Sequence, residues 1–125
     1  MSSLSLAIPR VAPSLNTLLN WHWATRKKEK EIWIKEIQYA MSQQPAFIPR
    51  KPLIKRCKIA FTRYSVRQLD RDNLAGSFKV IGDALKRAGV IEDDSPEHVI
   101  ELVANQGKVR RFKDQRTEII IIEEL

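Results

Sequence analysis

Positions 70–97 of this 125-residue chain hold seven of its fifteen acidic residues: Asp70, Asp72, Asp83, Glu92, Asp93, Asp94 and Glu97. The chain as a whole is basic, with 22 Lys and Arg and a formal charge of +7. Like charges held close repel one another, and a bound divalent cation is one way to relieve them. Asp70 and Asp72 are two apart, so in an extended segment both side chains leave from one side, as two oxygen ligands of a hard cation must. Downstream, Glu92, Asp93, Asp94, Ser95 and Pro96 read as an acidic turn. Folded back beside the first pair, that turn would let Asp94 or Asp93 complete a three-carboxylate site. Such a site suits Mg²⁺, which takes oxygen ligands, keeps several waters and leaves positions for phosphate oxygens.

A helix is expected to follow, with Asp72 or Asn73 as its N-cap. Leu74, Phe78, Ile81, Leu85 and Ala88 recur at three- and four-residue steps as one apolar face, and Gly89 is the expected stop. The same periodicity puts Asp72, Lys79 and Asp83 within about 20° of one another around the axis. Each piece also has a plainer reading: Asp72 as a cap only, the 92–97 run as a solvated turn, and Lys79 with Asp83 as a surface pair. An EF-hand is excluded, because the loop's sixth position is Ala75 where Gly is needed and its twelfth is Ile81 rather than Glu.

The order D-x-D-N (Asp70 to Asn73), then Lys79, then Asp83-Ala84-Leu85, then Ala88-Gly89 followed by two apolar residues and Asp93-Asp94, resembles the RusA-type Holliday junction resolvases. These are small homodimeric, Mg²⁺-dependent endonucleases of bacteria and their prophages. The likeness is densest from Leu69 to Ser95. Pro13, Ser14, Leu15 and Asn16 are similar to the family's P-S-x-N signature, and the basic C-terminal arm with a T-E-I-x-I strand is similar in kind. The resemblance implies Asp70, Asp72 and Asp94 as catalytic metal-binding carboxylates and Lys79 as the catalytic lysine. It also implies DNA recombination and repair as the setting. In some members the lysine stands four residues after the second Asp, where this chain has Gly76. Lys79 stands seven after it, and on an unbroken helix both spacings return to nearly the same face.

The elements around this stretch read as one small α+β domain spanning 1–125, a mixed sheet of about four strands with two main helices. Leu4 to Ile8 is the expected first strand, ended by Pro9 and Pro13. Ala12 to Trp23 is an expected loop, in which at least one of Trp21 and Trp23 covers the core. His22 has no ligand partner at a recognisable spacing. Ala24 to Ser42 is an expected amphipathic helix with Thr25 as a possible cap and Trp33, Ile37, Ala40 and Met41 as its inner stripe. Its Arg26, Lys27, Lys28, Glu29, Lys30 and Glu31 read as a solvated mixed-charge face. Pro45, Pro49 and Pro52 predict a stiff loop. Leu53 to Tyr64 alternates as a half-buried strand, with Cys57, Ile59 and Phe61 inward, and leads directly to Asp70. Cys57 is the only cysteine and reads as a small core residue. His98 to Gln106 and Thr117 to Glu123 are expected as two more strands, joined around Gly107 as a possible hairpin.

The chain carries no charged leader and no apolar run near the ~18 residues that span a bilayer, so a soluble cytoplasmic protein is expected. The segments 50–58, 63–71 and 108–116 are basic. Arg67, Arg71, Lys108, Arg110, Arg111 and Lys113, with Phe112 among them, are the candidate DNA contacts. An acidic cluster within such a footprint would oppose a polyanion unless divalent metal reverses its sign. The expected activity is therefore metal-assisted phosphodiester hydrolysis, leaving 5′ phosphate and 3′ hydroxyl ends. The alternatives are a non-catalytic basic nucleic-acid-binding module derived from such a nuclease, and a dimeric interaction protein that binds no nucleic acid.

Overall fold

The computed structural model describes residues 3–44 and 54–124. In chain order these form β1 (Ser3–Ile8), α1 (Leu15–Asn20), α2 (Trp23–Ser42), β2 (Cys57–Ser65), α3 (Arg71–Gly76), α4 (Phe78–Arg87), β3 (Val99–Lys108), a single 3₁₀ turn (Phe112–Asp114) and β4 (Arg116–Glu123). The result is a small α+β domain with a four-stranded mixed sheet in the order β1-β4-β2-β3. The Pro45–Pro52 connection and the expected strand start at Leu53 lie outside the described residues.

Strand β2 is the organising element, because it pairs antiparallel with β4 on one side and parallel with β3 on the other. Its nine residues alternate strictly between buried and half-buried, as a sheet with only one covered face demands. The rows across the inner face are Leu4–Ile121–Ile59–Leu102 and Leu6–Ile119–Phe61–Ala104. Against them lie Trp33 and Ile37 of α2 and Val80, Ile81, Ala84 and Leu85 of α4, all essentially without solvent contact. Phe61 and Phe78 stack with ring centroids 5.8 Å apart. Burying each such side chain contributes roughly 1.5–3 kcal/mol, so this interface is the main store of stability.

The next inner row changes character: Ile8–Thr117–Arg63–Gln106. Thr117 is fully buried and donates its hydroxyl to the Arg10 carbonyl at 2.7 Å. The apolar layer thus ends at this row, near the carboxyl ends of β2 and β3. The connections after both strands leave from this end, because parallel pairing puts the two carboxyl ends together.

Several expectations hold and several need correction. β1 and α2 are where the alternation and the 3.6-residue stripe put them, and Trp21 packs on the core while Trp23 is exposed. Residues 12–23 are not all loop: α1 forms there, capped by Ser14, whose hydroxyl accepts from the Thr17 amide at 3.1 Å. His22, not Thr25, caps α2, its Nδ1 accepting from the Ala24 amide at 3.2 Å. The imidazole nitrogen takes the place a hydroxyl was expected to fill. Glu29 is not on a solvated face. It is buried, accepts two bonds from Arg10 at 2.8 and 2.9 Å, and accepts a third from the Trp33 indole at 3.1 Å. Finally, β3 and β4 are no hairpin, since Gly107 lies within β3 and β2 stands between the two strands.

Candidate active site

Asp70 sits just past the carboxyl end of β2, and its place is set by the neighbouring strand. The Gln106 side chain satisfies both backbone groups of Leu69, accepting from its amide at 3.0 Å and donating to its carbonyl at 2.8 Å. Gln68 donates to the Gly107 carbonyl at 3.0 Å, and the Val109 amide donates to the Ser65 carbonyl at 3.1 Å. Three contacts thus fasten the 65–69 segment along the end of β3, so the residue that follows leaves from a fixed point. Rigid support of this kind is what a site needing positional accuracy requires.

Asp70 itself, rather than Asp72 or Asn73, is the N-cap of α3. Its backbone is extended and its carboxylate accepts from the Asn73 amide at 2.9 Å. The Asn73 side-chain amide donates to both Asp70 oxygens, at 3.2 and 3.0 Å. These bonds to the Asn73 backbone and side chain hold the Asp70 carboxyl below its ordinary range, so it stays ionised. The cap falls two residues early because Asp72 is already inside the first turn, where a carboxylate is favourable beside the free amides. The Asn73 oxygen in turn accepts from the Asn16 amide at 2.9 Å, joining α1 to α3. Asp70 and Asp72 are therefore both exposed on one helix start.

The helix does not run through to Lys79. Buried Ser77 ends α3 and begins α4, and its hydroxyl donates to the Leu74 carbonyl at 2.6 Å. Such back-bonding bends a helix. Gly76 just before it lets α1 approach, since a β-carbon there would lie 2.6 Å from Leu15 Cβ. Asp72 and Lys79 therefore stand on two successive helices rather than on one. Lys79 is exposed on the first turn of α4. Asp83 pairs with Arg87 at 3.0 Å and with Lys30 at 3.8 Å, not with Lys79.

Asp94 lies against the middle of α4. A β-carbon on Gly82 would stand 3.1 Å from Asp94 Cβ and 3.2 Å from Asp94 Oδ2, so the absent side chain is what admits the aspartate. Its neighbour Asp93 is committed elsewhere, to Lys86 at 3.1 Å, and that bond lowers its pKa to about 2. Among the described residues no three His, Cys, Asp or Glu side chains are grouped closely enough to hold a metal ion. The structure puts Asp70 and Asp72 at one helix start, with Asp72 in the first turn rather than in the extended segment that would set both side chains on one side. It puts Asp94 on the loop after α4, against Gly82. The donor chemistry still fits Mg²⁺, which is commonly held by one or two carboxylates together with substrate phosphates rather than by a closed protein cage.

The cationic residues gather at the same end of the sheet. Arg67 precedes Asp70, Arg71 opens α3, and Lys108 ends β3. Arg110, Arg111 and Lys113 follow on the arm around the exposed Phe112, Arg111 being paired with Asp114 at 3.0 Å. Arg116 is occupied otherwise, its guanidinium lying 4.0 Å over the Tyr64 ring centroid and 2.9 Å from Glu118. Residues that sequence reasoning missed are Gln106 and Arg63, while Asn16 was singled out only within the P-S-x-N signature. Arg63 had a signal, since it continues the inward parity of Cys57, Ile59 and Phe61. Gln106 had none, and the partner of Asn16 was not legible, because the residues they meet are 37 and 57 positions away.

Among the described residues no helix is long and apolar enough to cross a membrane. In comparison with known proteins, no family model matches the chain and no curated protein matches it.

Proposed function

We propose that this chain is a Mg²⁺-dependent, structure-specific endonuclease that resolves four-way (Holliday) DNA junctions by paired, symmetric phosphodiester hydrolysis. The observation that carries the reading is the exposed Asp70–Asp72 pair on the first turn of α3, rigidly supported from β3 and flanked by the cations of 67–71 and 108–113. The cations would seat the sugar-phosphate backbone and bring a phosphate to the two carboxylates.

Asp70 and Asp72 would hold the metal with hard oxygen ligands, and Asp94 would join them from the loop packed against α4 once substrate is seated. When bound, Mg²⁺ would lower the pKa of a water and offset charge on the leaving oxygen. Asn73 keeps Asp70 ionised and aimed. Lys79 would neutralise charge that develops on the phosphate in the transition state. Paired incision of a four-way junction requires two such sites related by a two-fold axis, hence a C2 homodimer. The setting that follows is DNA recombination and repair in the cytoplasm of a bacterium or its prophage.

The test is incubation with a mobile four-way junction, with and without Mg²⁺, using Asp70→Asn, Asp72→Asn and Asp94→Asn singly. Each variant should lose incision while binding the junction in EDTA as well as the parent does. Mg²⁺-dependent cutting retained by all three would defeat the reading. Binding that ignores Mg²⁺ and never leads to incision, in the parent itself, would leave a basic nucleic-acid-binding module instead.

A further inference from the structure

Arg63 is the one cation on the inner face of β2, and it is only 9% exposed. Its donors go to three neutral oxygens: the Ala12 carbonyl at 3.2 Å, Ser65 Oγ at 2.7 Å and the Arg67 carbonyl at 3.4 Å. Among the described residues no carboxylate lies within ion-pair distance of it, and desolvation lowers its pKa. A buried charge without a counter-charge is costly, and structures seldom keep one unless something else supplies the opposite sign.

Arg63 lines a cleft of about 440 Å³ between α1, the end of β2 and the 3₁₀ turn. The cleft's other charged residues are Arg10, Glu29 and Arg67. Glu29 is already held by Nε and Nη2 of Arg10, so it leaves Arg63 and Arg67 uncompensated. Two aromatic side chains complete the walls: Trp21, packed on the core, and Phe112, which is 72% exposed at the rim. An aromatic left in water beside unpaired guanidinium groups is the pairing that single-stranded nucleic acid uses, with bases stacking on rings and phosphates meeting arginine.

From this juxtaposition we infer that the cleft binds one unpaired nucleotide, its phosphate on Arg63 and Arg67 and its base against Phe112 and Trp21. The choice of a nucleotide over other phosphate-bearing ligands rests on the nuclease reading. The anion site itself does not. Leu69 also lines the cleft and directly precedes Asp70, so a nucleotide held there is one extruded next to the branch rather than the one cut. Unpaired nucleotides are cheapest to extrude where stacking is already broken, as at a junction centre.

The test is a titration in EDTA, where no cleavage intervenes, with a short 5′-phosphorylated single-stranded oligothymidylate, following tryptophan fluorescence. Inorganic phosphate is a separate arm. The oligonucleotide should quench the parent protein, and Trp21→Phe should remove most of that quench. Phe112→Ala and Arg67→Ala, both at exposed positions, should each weaken binding roughly five- to tenfold, with melting curves recorded alongside. Arg63→Lys should weaken it as well, with its melting curve recorded to separate unfolding from lost affinity. Unchanged affinity in both Phe112→Ala and Arg67→Ala would overturn the inference, as would binding of phosphate but not of oligonucleotide. Absence of incision by the parent protein in Mg²⁺, with oligonucleotide binding intact, would count against the nuclease reading alone.

Discussion

The Asn16 amide donates to the Asn73 side-chain oxygen at 2.9 Å, while the Asn73 amide nitrogen donates to both oxygens of Asp70. One side chain thus couples the start of α1 to the carboxylate that caps α3. Its orientation is unambiguous, since only this one offers an acceptor to Asn16 and donors to Asp70. Asn73→Asp would keep the acceptor and place a second carboxylate against Asp70. Urea unfolding should show a loss of about 1 kcal/mol, in the range of a lost cap or hydrogen bond. Mg²⁺-dependent incision should fall much further than that loss explains.

Gly82 is a helix-interior glycine whose replacement by alanine would ordinarily gain about 1 kcal/mol. Here the added methyl would meet Phe78 Cε2 at 2.8 Å and Asp94 Cβ at 3.1 Å. Overpacking costs roughly 1–3 kcal/mol, so the sign should reverse and Gly82→Ala should be destabilised. Because the displaced group is Asp94, incision should drop with it. A stabilised variant with full activity would show that Asp94 is not held where the reading needs it.

Asp93 has its pKa lowered from 3.8 to about 2, chiefly by the Lys86 bond. A depressed carboxyl contributes stability above its unfolded pKa and loses it as pH falls through the folded one. Its contribution should therefore be complete above about pH 4 and disappear toward pH 2. Asp93→Asn should flatten that part of the acid-unfolding profile and lower the neutral plateau by the same amount, which solvent screening of the exposed pair keeps small.

Cys57 is 1% exposed, and burial first, with the charge of Glu123 second, pushes its thiol up to about 11. The native protein should react very slowly with a thiol reagent at pH 8 and fully in denaturant. Rapid native labelling would mean that the start of β2 opens far more readily than its packing suggests.

The sequence by itself determined the elements with an uninterrupted period: the two-residue alternation of β2, the stripe of α2 through Trp33 and Ile37, and the inner face of α4. Two-residue spacing would put Asp70 and Asp72 on one side only in an extended segment, and Asp72 instead lies inside the first turn of α3, capped by Asp70. Contacts between distant residues were decided only by the fold. Glu29 read as one of a mixed-charge surface run until Arg10 and Trp33, on other turns and another segment, met it. Residues 98–123 read as a hairpin because adjacency in sequence resembles adjacency in space, yet β2 takes both neighbouring edges. The single helix expected through Asp72 and Lys79 is divided at Ser77, where a hydroxyl bonds back to Leu74 and Leu15 approaches Gly76. The unpaired charge of Arg63 became visible only when its row, Ile8–Thr117–Arg63–Gln106, proved to be where apolar cover ends. Local spacing carries phase along one element, whereas burial and charge compensation depend on which elements meet, and that is settled by tertiary packing.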